Sequence, residues 1–170
     1  MEATYFDTPE AMEEARNSFE YRSGRRIYAM LAGAMSLALA IDLVHTAIAL
    51  GVERMPVLRS IGSLLLLAAS VLLPFGWTSV RSFAAYLAML VSIIKIMPTV
   101  GMLSVLLKNP PAPPSGPLIV GLAIGVMPTV LTGVLCLFFG LALSLRRRVR
   151  YYLFVQGVRR SGDVAAEIAR

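Results

Sequence analysis

Three ionisable residues stand inside otherwise apolar stretches of this chain: Asp42 and His45 in one, Lys95 in another. An ionised side chain at membrane depth costs at least about 2.5 kcal/mol on insertion scales, so it turns toward a bundle interior and finds a partner. Asp42 and His45 are three residues apart and share a helix face. An acid, an imidazole and an amine in this setting suit three uses. They can relay a proton or ion. They can form a buried ion pair that fixes helix register, with His45 close enough to the interface to be wetted. Or Lys95 or Asp42 can pair with an opposite charge in another membrane protein. At about 1.5 Å per helical residue, Asp42 lies about 12 Å, His45 about 7 Å and Lys95 about 18 Å from the outer ends of their runs. A Lys stem covers the remaining ~6 Å, so an Asp42–Lys95 pair within one chain is geometrically open. A relay lacks continuity, because no other Asp, Glu or His lies within the membrane on the cytoplasmic side of Lys95.

These residues must be held by helices. The chain of 170 residues is 57% hydrophobic with a mean hydropathy of +0.73, which places it in the integral membrane class. A hydrocarbon layer of roughly 30 Å takes about 20 helical residues. Four runs approach or exceed that length: 27–50, 60–77, 83–107 and 117–145. Period-two alternation is absent, which argues against a barrel. The connections "GVERMPVLR", "TSVRS" and "KNPPAPPSG" force neighbouring helices to run antiparallel. The expected fold is an all-α integral membrane protein, a four-helix transmembrane bundle running up-down-up-down with helical cytoplasmic tails. Its parts are an amphipathic N-terminal segment 1–26, a transmembrane domain 27–145 and a basic tail 146–170.

Orientation follows from the basic residues. Twelve arginines fall on the side of the two tails and the middle connection, against Arg54, Arg59 and Lys108 on the other. The rule that cytoplasmic flanks are positive puts both termini in the cytoplasm. The Arg-rich, Lys-poor composition suggests a multi-pass protein of a bacterial plasma (inner) membrane. The first 26 residues contain no apolar core followed by a small-residue cleavage site, so the first run is expected to stay as an anchor.

In the N-terminal tail, Thr8 can cap a helix that opens with Pro9. Met12, Ala15 and Phe19 then share a face that either lies on the membrane surface or packs on the bundle. At the other end, "RRRVRYYLFVQGVRR" is expected to continue the fourth helix into the headgroup region. There Arg146, Arg147, Arg148 and Arg150 either contact anionic lipid or simply anchor the helix. The terminal "SGDVAAEIAR" reads as a short helix capped by Asp163.

The tetrapeptide "MPTV" occurs twice, at 97–100 and 127–130. A chain of this length contains on the order of one such repeat by chance, so no internal duplication follows. Its meaning is geometric. Pro98 and Pro128 each remove a helical hydrogen bond near mid-membrane, and Thr99 and Thr129 offer hydroxyls to the groups released. The outcome is either two packing kinks or a paired opening of polar backbone, as in discontinuous transporter helices. Gly121, Gly125, Thr129 and Gly133 form a four-residue stripe that lets another helix approach closely, from this chain or another.

Other chemistries lack their residues. One Cys (Cys136) and one His supply neither a disulfide framework nor a zinc site. There is no phosphate-binding glycine loop, HExxH or plausible Ser-His-Asp set. Haem ligation by His45 alone would need an axial partner from elsewhere. The expectation is no enzyme, no cofactor, no metal and no nucleic-acid partner, the net charge of +6 being explained by topology. The expected partners are membrane lipid and either a second copy or another integral membrane protein. The leading role is a non-enzymatic scaffold or accessory subunit. The alternatives are a proton, ion or small-solute pathway formed by an oligomer, and a lipid-interacting membrane-organising protein.

Overall fold

A computed structural model describes residues 9–50, 57–75, 80–108 and 116–168. Among the described residues the regular structure is entirely helical: α1 (Pro9–Asn17), α2 (Phe19–Leu50), α3 (Val57–Leu72), α4 (Val80–Lys108), α5 (Gly116–Leu145) and α6 (Arg147–Ile168). A 3-10 turn, Leu73–Phe75, closes α3. Among the described residues, three stretches are long and apolar enough to cross a membrane: Phe19–Ile48, Val80–Gly101 and Val126–Leu145. The apolar helix Ser60–Phe75 is shorter than that requirement, about 24 Å long at 1.5 Å per residue. Thr8, the Pro-rich connection and Arg170 lie outside the described residues, as do the surroundings of Gly121, Gly125, Arg59 and Arg160.

The first long helix begins at Phe19, rather than at Ile27 where the apolar run starts. Ser18 sets that start. Its hydroxyl accepts from Tyr21 N at 3.2 Å, and its carbonyl accepts the first α2 bond from Arg22 N at 3.2 Å. This turn folds α1 back onto α2 and α6. Met12 and Ala15 pack into the core, whereas Phe19 is 70% exposed and lies beneath the Arg148 guanidinium, 5.1 Å from its ring centre. The expected Met12–Ala15–Phe19 face is therefore divided at Ser18, because the break rotates α2 relative to α1.

Contacts set the helix directions. Going up α2, residues 28, 38 and 42 meet residues 139, 132 and 129 of α5. Going up α4, Ala85 and then Ile96 meet Gly140 and then Gly133. Thus α5 runs opposite to both α2 and α4. Helix α6 follows α5 after a single interruption at Arg146, whose N–H still reaches Ala142 O at 3.1 Å and whose carbonyl accepts from Arg150 N at 3.1 Å. It stays helical through Asp163, so no separate capped helix begins there.

The α2–α6 contact is aromatic. Tyr21 and Tyr152 meet edge-on with ring centres 5.3 Å apart, and Tyr28 sits between Tyr152 at 5.7 Å and Phe139 at 5.9 Å. Gln156 Nε2 donates to the Tyr21 hydroxyl at 2.7 Å. Burial raises the Tyr152 pKa, Tyr21 adds to the shift, and Arg25 opposes it. Tyr28 also solves a local problem. Pro74 has no N–H to give to the Ser70 carbonyl one turn earlier, and the Tyr28 hydroxyl donates there instead.

The apolar residues left outside are distributed around the long helices. Ile41, Val44 and Ile48 of α2, Leu90 and Ile93 of α4, and Leu131 of α5 are all more than half exposed. Such an outer surface suits hydrocarbon, while the interior between helices sets small residues such as Ala84, Ala88 and Ser92 among larger ones such as Met35, Leu39 and Leu66.

Candidate functional site: a buried ion pair between three helices

Asp42 of α2 and Lys95 of α4 meet in the interior. Lys95 Nζ donates to Asp42 Oδ2 at 2.5 Å, and both residues are 1% exposed. Thr129 of α5 donates its hydroxyl to the other carboxylate oxygen, Asp42 Oδ1, at 2.7 Å. Each carboxylate oxygen therefore has a donor from a different helix. This is the condition under which a buried charge is tolerable.

Further hydroxyls extend the polar layer. Thr46, one turn beyond Asp42, donates to the Asp42 carbonyl at 2.7 Å. The Thr132 hydroxyl lies 2.7 Å from the Pro128 carbonyl and 3.0 Å from the Ala38 carbonyl, at the α2–α5 seam. Ser92 and Ser63 are also buried. Gly133 lets α4 close over the site: a Cβ there would stand 2.7 Å from Ile96 Cγ1 and 3.3 Å from Lys95 Cβ. Of the α5 stripe, Gly133 is thus used within the chain; outside the stripe, Gly140 does the same, where a Cβ would stand 3.0 Å from the Ala85 carbonyl.

The residues singled out in the sequence divide as follows. Asp42, Lys95 and Thr129 come together. His45 is half-buried and makes no hydrogen bond or ion pair with them among the described residues; Thr46, rather than His45, serves the turn after Asp42. The two "MPTV" copies agree at their first and third positions, with Met97 and Met127 exposed at 68% and 66% and Thr99 and Thr129 half-buried. Both prolines lie inside continuous helices, Pro98 exposed and Pro128 half-buried. Only the second threonine reaches the carboxylate. Thr132 had a weak sequence signal: it lies three residues after Thr129, on the same helix face.

Among the described residues no group of His, Cys, Asp and Glu could hold a metal ion. Cys136 is fully buried near the pair. Chemically, the arrangement is a desolvated carboxylate–ammonium pair oriented by a hydroxyl. It can lock three helices in register, or hold a proton between two bases if water reaches it.

Thr129→Val keeps the shape and removes one charge-assisted bond. We expect it to destabilise the protein by about 1.5–3 kcal/mol, read as a lowered unfolding midpoint in detergent. Thr129→Ser should restore most of the loss; equal losses in both variants would assign the effect to packing.

Comparison of the chain with protein families, with curated proteins and with solved structures gives no match.

Proposed function

We propose that this is a four-pass, up-down-up-down protein of a bacterial plasma membrane, with both termini cytoplasmic, acting as a non-enzymatic scaffold or accessory subunit. The short apolar helix Ser60–Phe75 would be the fourth span, matched by local thinning of the bilayer. The orientation rests on the twelve arginines gathered on one side.

The observation that carries the role is the closure of the Asp42–Lys95–Thr129 cluster within one chain. Its charges need no countercharge from outside. They are used to hold α2, α4 and α5 in register, which yields a preformed body around which other components can assemble. A partner would then meet the outer apolar faces or the basic cytoplasmic end.

A second reading is favoured by the hydroxyls around the pair. The Thr129 hydroxyl bonds the Asp42 carboxylate, and the hydroxyls of Thr46 and Thr132 bond carbonyls of Asp42 and of Ala38 one turn away on the same helix. These are proton-carrying groups of the kind a proton or ion pathway in an oligomer requires. One preparation separates the two. Mild-detergent purification from native membranes, with mass measurement of the intact particle, should return the chain in fixed stoichiometry with itself or another membrane protein. Recovery of a lone monomer would count against the scaffold role. Ion flux in proteoliposomes that vanishes in Asp42→Asn would replace it with the pathway.

A further inference from the structure

We propose that a cleft between the first turn of α4 and the start of α6 binds the phosphate of an anionic phospholipid headgroup. The cleft has a volume of about 500 Å³ and is lined by Arg81, Arg147, Arg150, Tyr151 and Phe154. The last four are spaced i, i+3, i+4, i+7, which is one face of α6. Arg81 closes the cleft from α4. The sequence alone groups Arg147 and Arg150 with Arg146 and Arg148 as one run; the fold regroups them with an arginine more than 60 residues away.

Three arginines line this one cleft, and none has a carboxylate partner among the described residues. Like charges gathered in one cleft repel one another unless an anion joins them, and planar guanidinium forks match phosphate oxygens in pairs. The other two arginines of the run are placed differently. Arg148 lies over the Phe19 ring at 5.1 Å and donates to Ser23 Oγ at 3.4 Å. Arg146 lines a separate, mostly apolar cleft with Ile27, Met30, Phe138 and Leu141.

The surroundings select a lipid over a soluble anion. Tyr151 and Phe154 are half-buried and give the cleft an aromatic wall. Phe83 and Leu145, 55% and 71% exposed, each lie within about 3 Å along the helix axis of Arg81 and Arg147, so the apolar outer surface of these helices begins at about the cleft's level. A ligand with phosphate at one end and hydrocarbon at the other satisfies both halves. Aromatic and basic residues at this level are also typical of the membrane interface. The inference rests on the membrane placement proposed above and adds a defined ligand class and site.

The test uses the full chain in detergent, titrated with phosphatidylglycerol or phosphatidylcholine, with bound lipid counted by native mass spectrometry. The wild type should prefer phosphatidylglycerol. Arg81→Gln, Arg147→Gln and Arg150→Gln should each lower that preference about fivefold, while Arg148→Gln leaves it nearly unchanged. A triple Arg-to-Lys variant at 81, 147 and 150 keeps the charge and loses the forks, and should also lose preference. Its unfolding midpoint shows that it is folded. If the lysine variant binds like wild type, or Arg148→Gln loses as much as Arg81→Gln, diffuse charge accounts for binding and the site is overturned. Displacement of the lipid by equimolar inorganic phosphate would overturn the lipid assignment. Orientation is read separately: outside labelling of Arg159→Cys in intact cells would refute the cytoplasmic placement while leaving the selectivity measured in detergent unaffected.

Discussion

Lys95→Met is expected to destabilise the protein by about 3–5 kcal/mol, because it leaves Asp42 charged, desolvated and deprived of its closest donor. Asp42→Leu should cost a similar amount by stranding the ammonium. The double variant Asp42→Leu/Lys95→Met is the informative one. Replacing a whole buried ion pair with apolar groups of similar volume is often neutral or stabilising, so it should recover most of either single loss. Thr129 would then lack its carboxylate acceptor, but it can turn its hydroxyl to its own helix backbone, as Thr132 does with Pro128. Equilibrium unfolding of the four proteins in one detergent gives the coupling energy directly. Additive losses would mean that the pair does not couple α2 to α4. The same double variant bears on function. A scaffold should tolerate it once stability is restored, whereas a pathway through Asp42 should not.

The second large effect is expected far from the ion pair. A Cβ on Gly24 would stand 2.1 Å from the Arg148 carbonyl oxygen, 2.7 Å from its carbon and 3.1 Å from Tyr152 Cβ. The obstructing atoms are backbone, so relief requires α6 to move away from α2. Gly24→Val should cost about 1–3 kcal/mol or more from overpacking. It should also open the Tyr21–Tyr152–Tyr28 contacts and expose α6 to limited proteolysis. Gly33 is the matched control on the same helix, with nothing within 4 Å of its would-be Cβ. Gly33→Ala should be neutral, or stabilising by up to about 1 kcal/mol through helix propensity. If Gly24→Val leaves α6 as protected as in the wild type, the close approach at Gly24 does not hold the two helices together. Gly133→Ala lies between these extremes, because the atom it meets belongs to the flexible Ile96 side chain.

Membrane character was legible from composition, because hydrocarbon demands long runs of apolar residues whatever the packing. Helix existence was equally legible, since every backbone group in lipid must be paired within its own segment. Helix ends were less so. The start of α2 at Phe19 depends on the Ser18 cap and on α6 packing against the polar first turns, neither of which hydropathy registers. Within the second apolar run Pro74 tightens the helix into a 3-10 turn, and the last two residues of that run lie outside the described ones.

The candidate site shows the same division. Asp42 and Lys95 were conspicuous because charge in an apolar run is costly wherever it occurs, and depth counting kept their pairing open. Thr129 was noticed for its place after a proline: a hydroxyl there can serve its own helix or another one, and its reach to Asp42 depends on what faces it. The glycine stripe was likewise indifferent to its partner until Ile96 was placed against Gly133. By itself, then, the sequence determined the solvent this protein is built for, the helices it makes and the charges it must neutralise. These follow from transfer energies and hydrogen-bond closure, which are local. The tertiary structure alone decided which groups meet: Thr129 with Asp42, Tyr28 with the carbonyl left by Pro74, and Arg81 with Arg147 and Arg150. Those meetings depend on helix rotation and register, set by close packing summed over whole faces rather than by any residue's own chemistry.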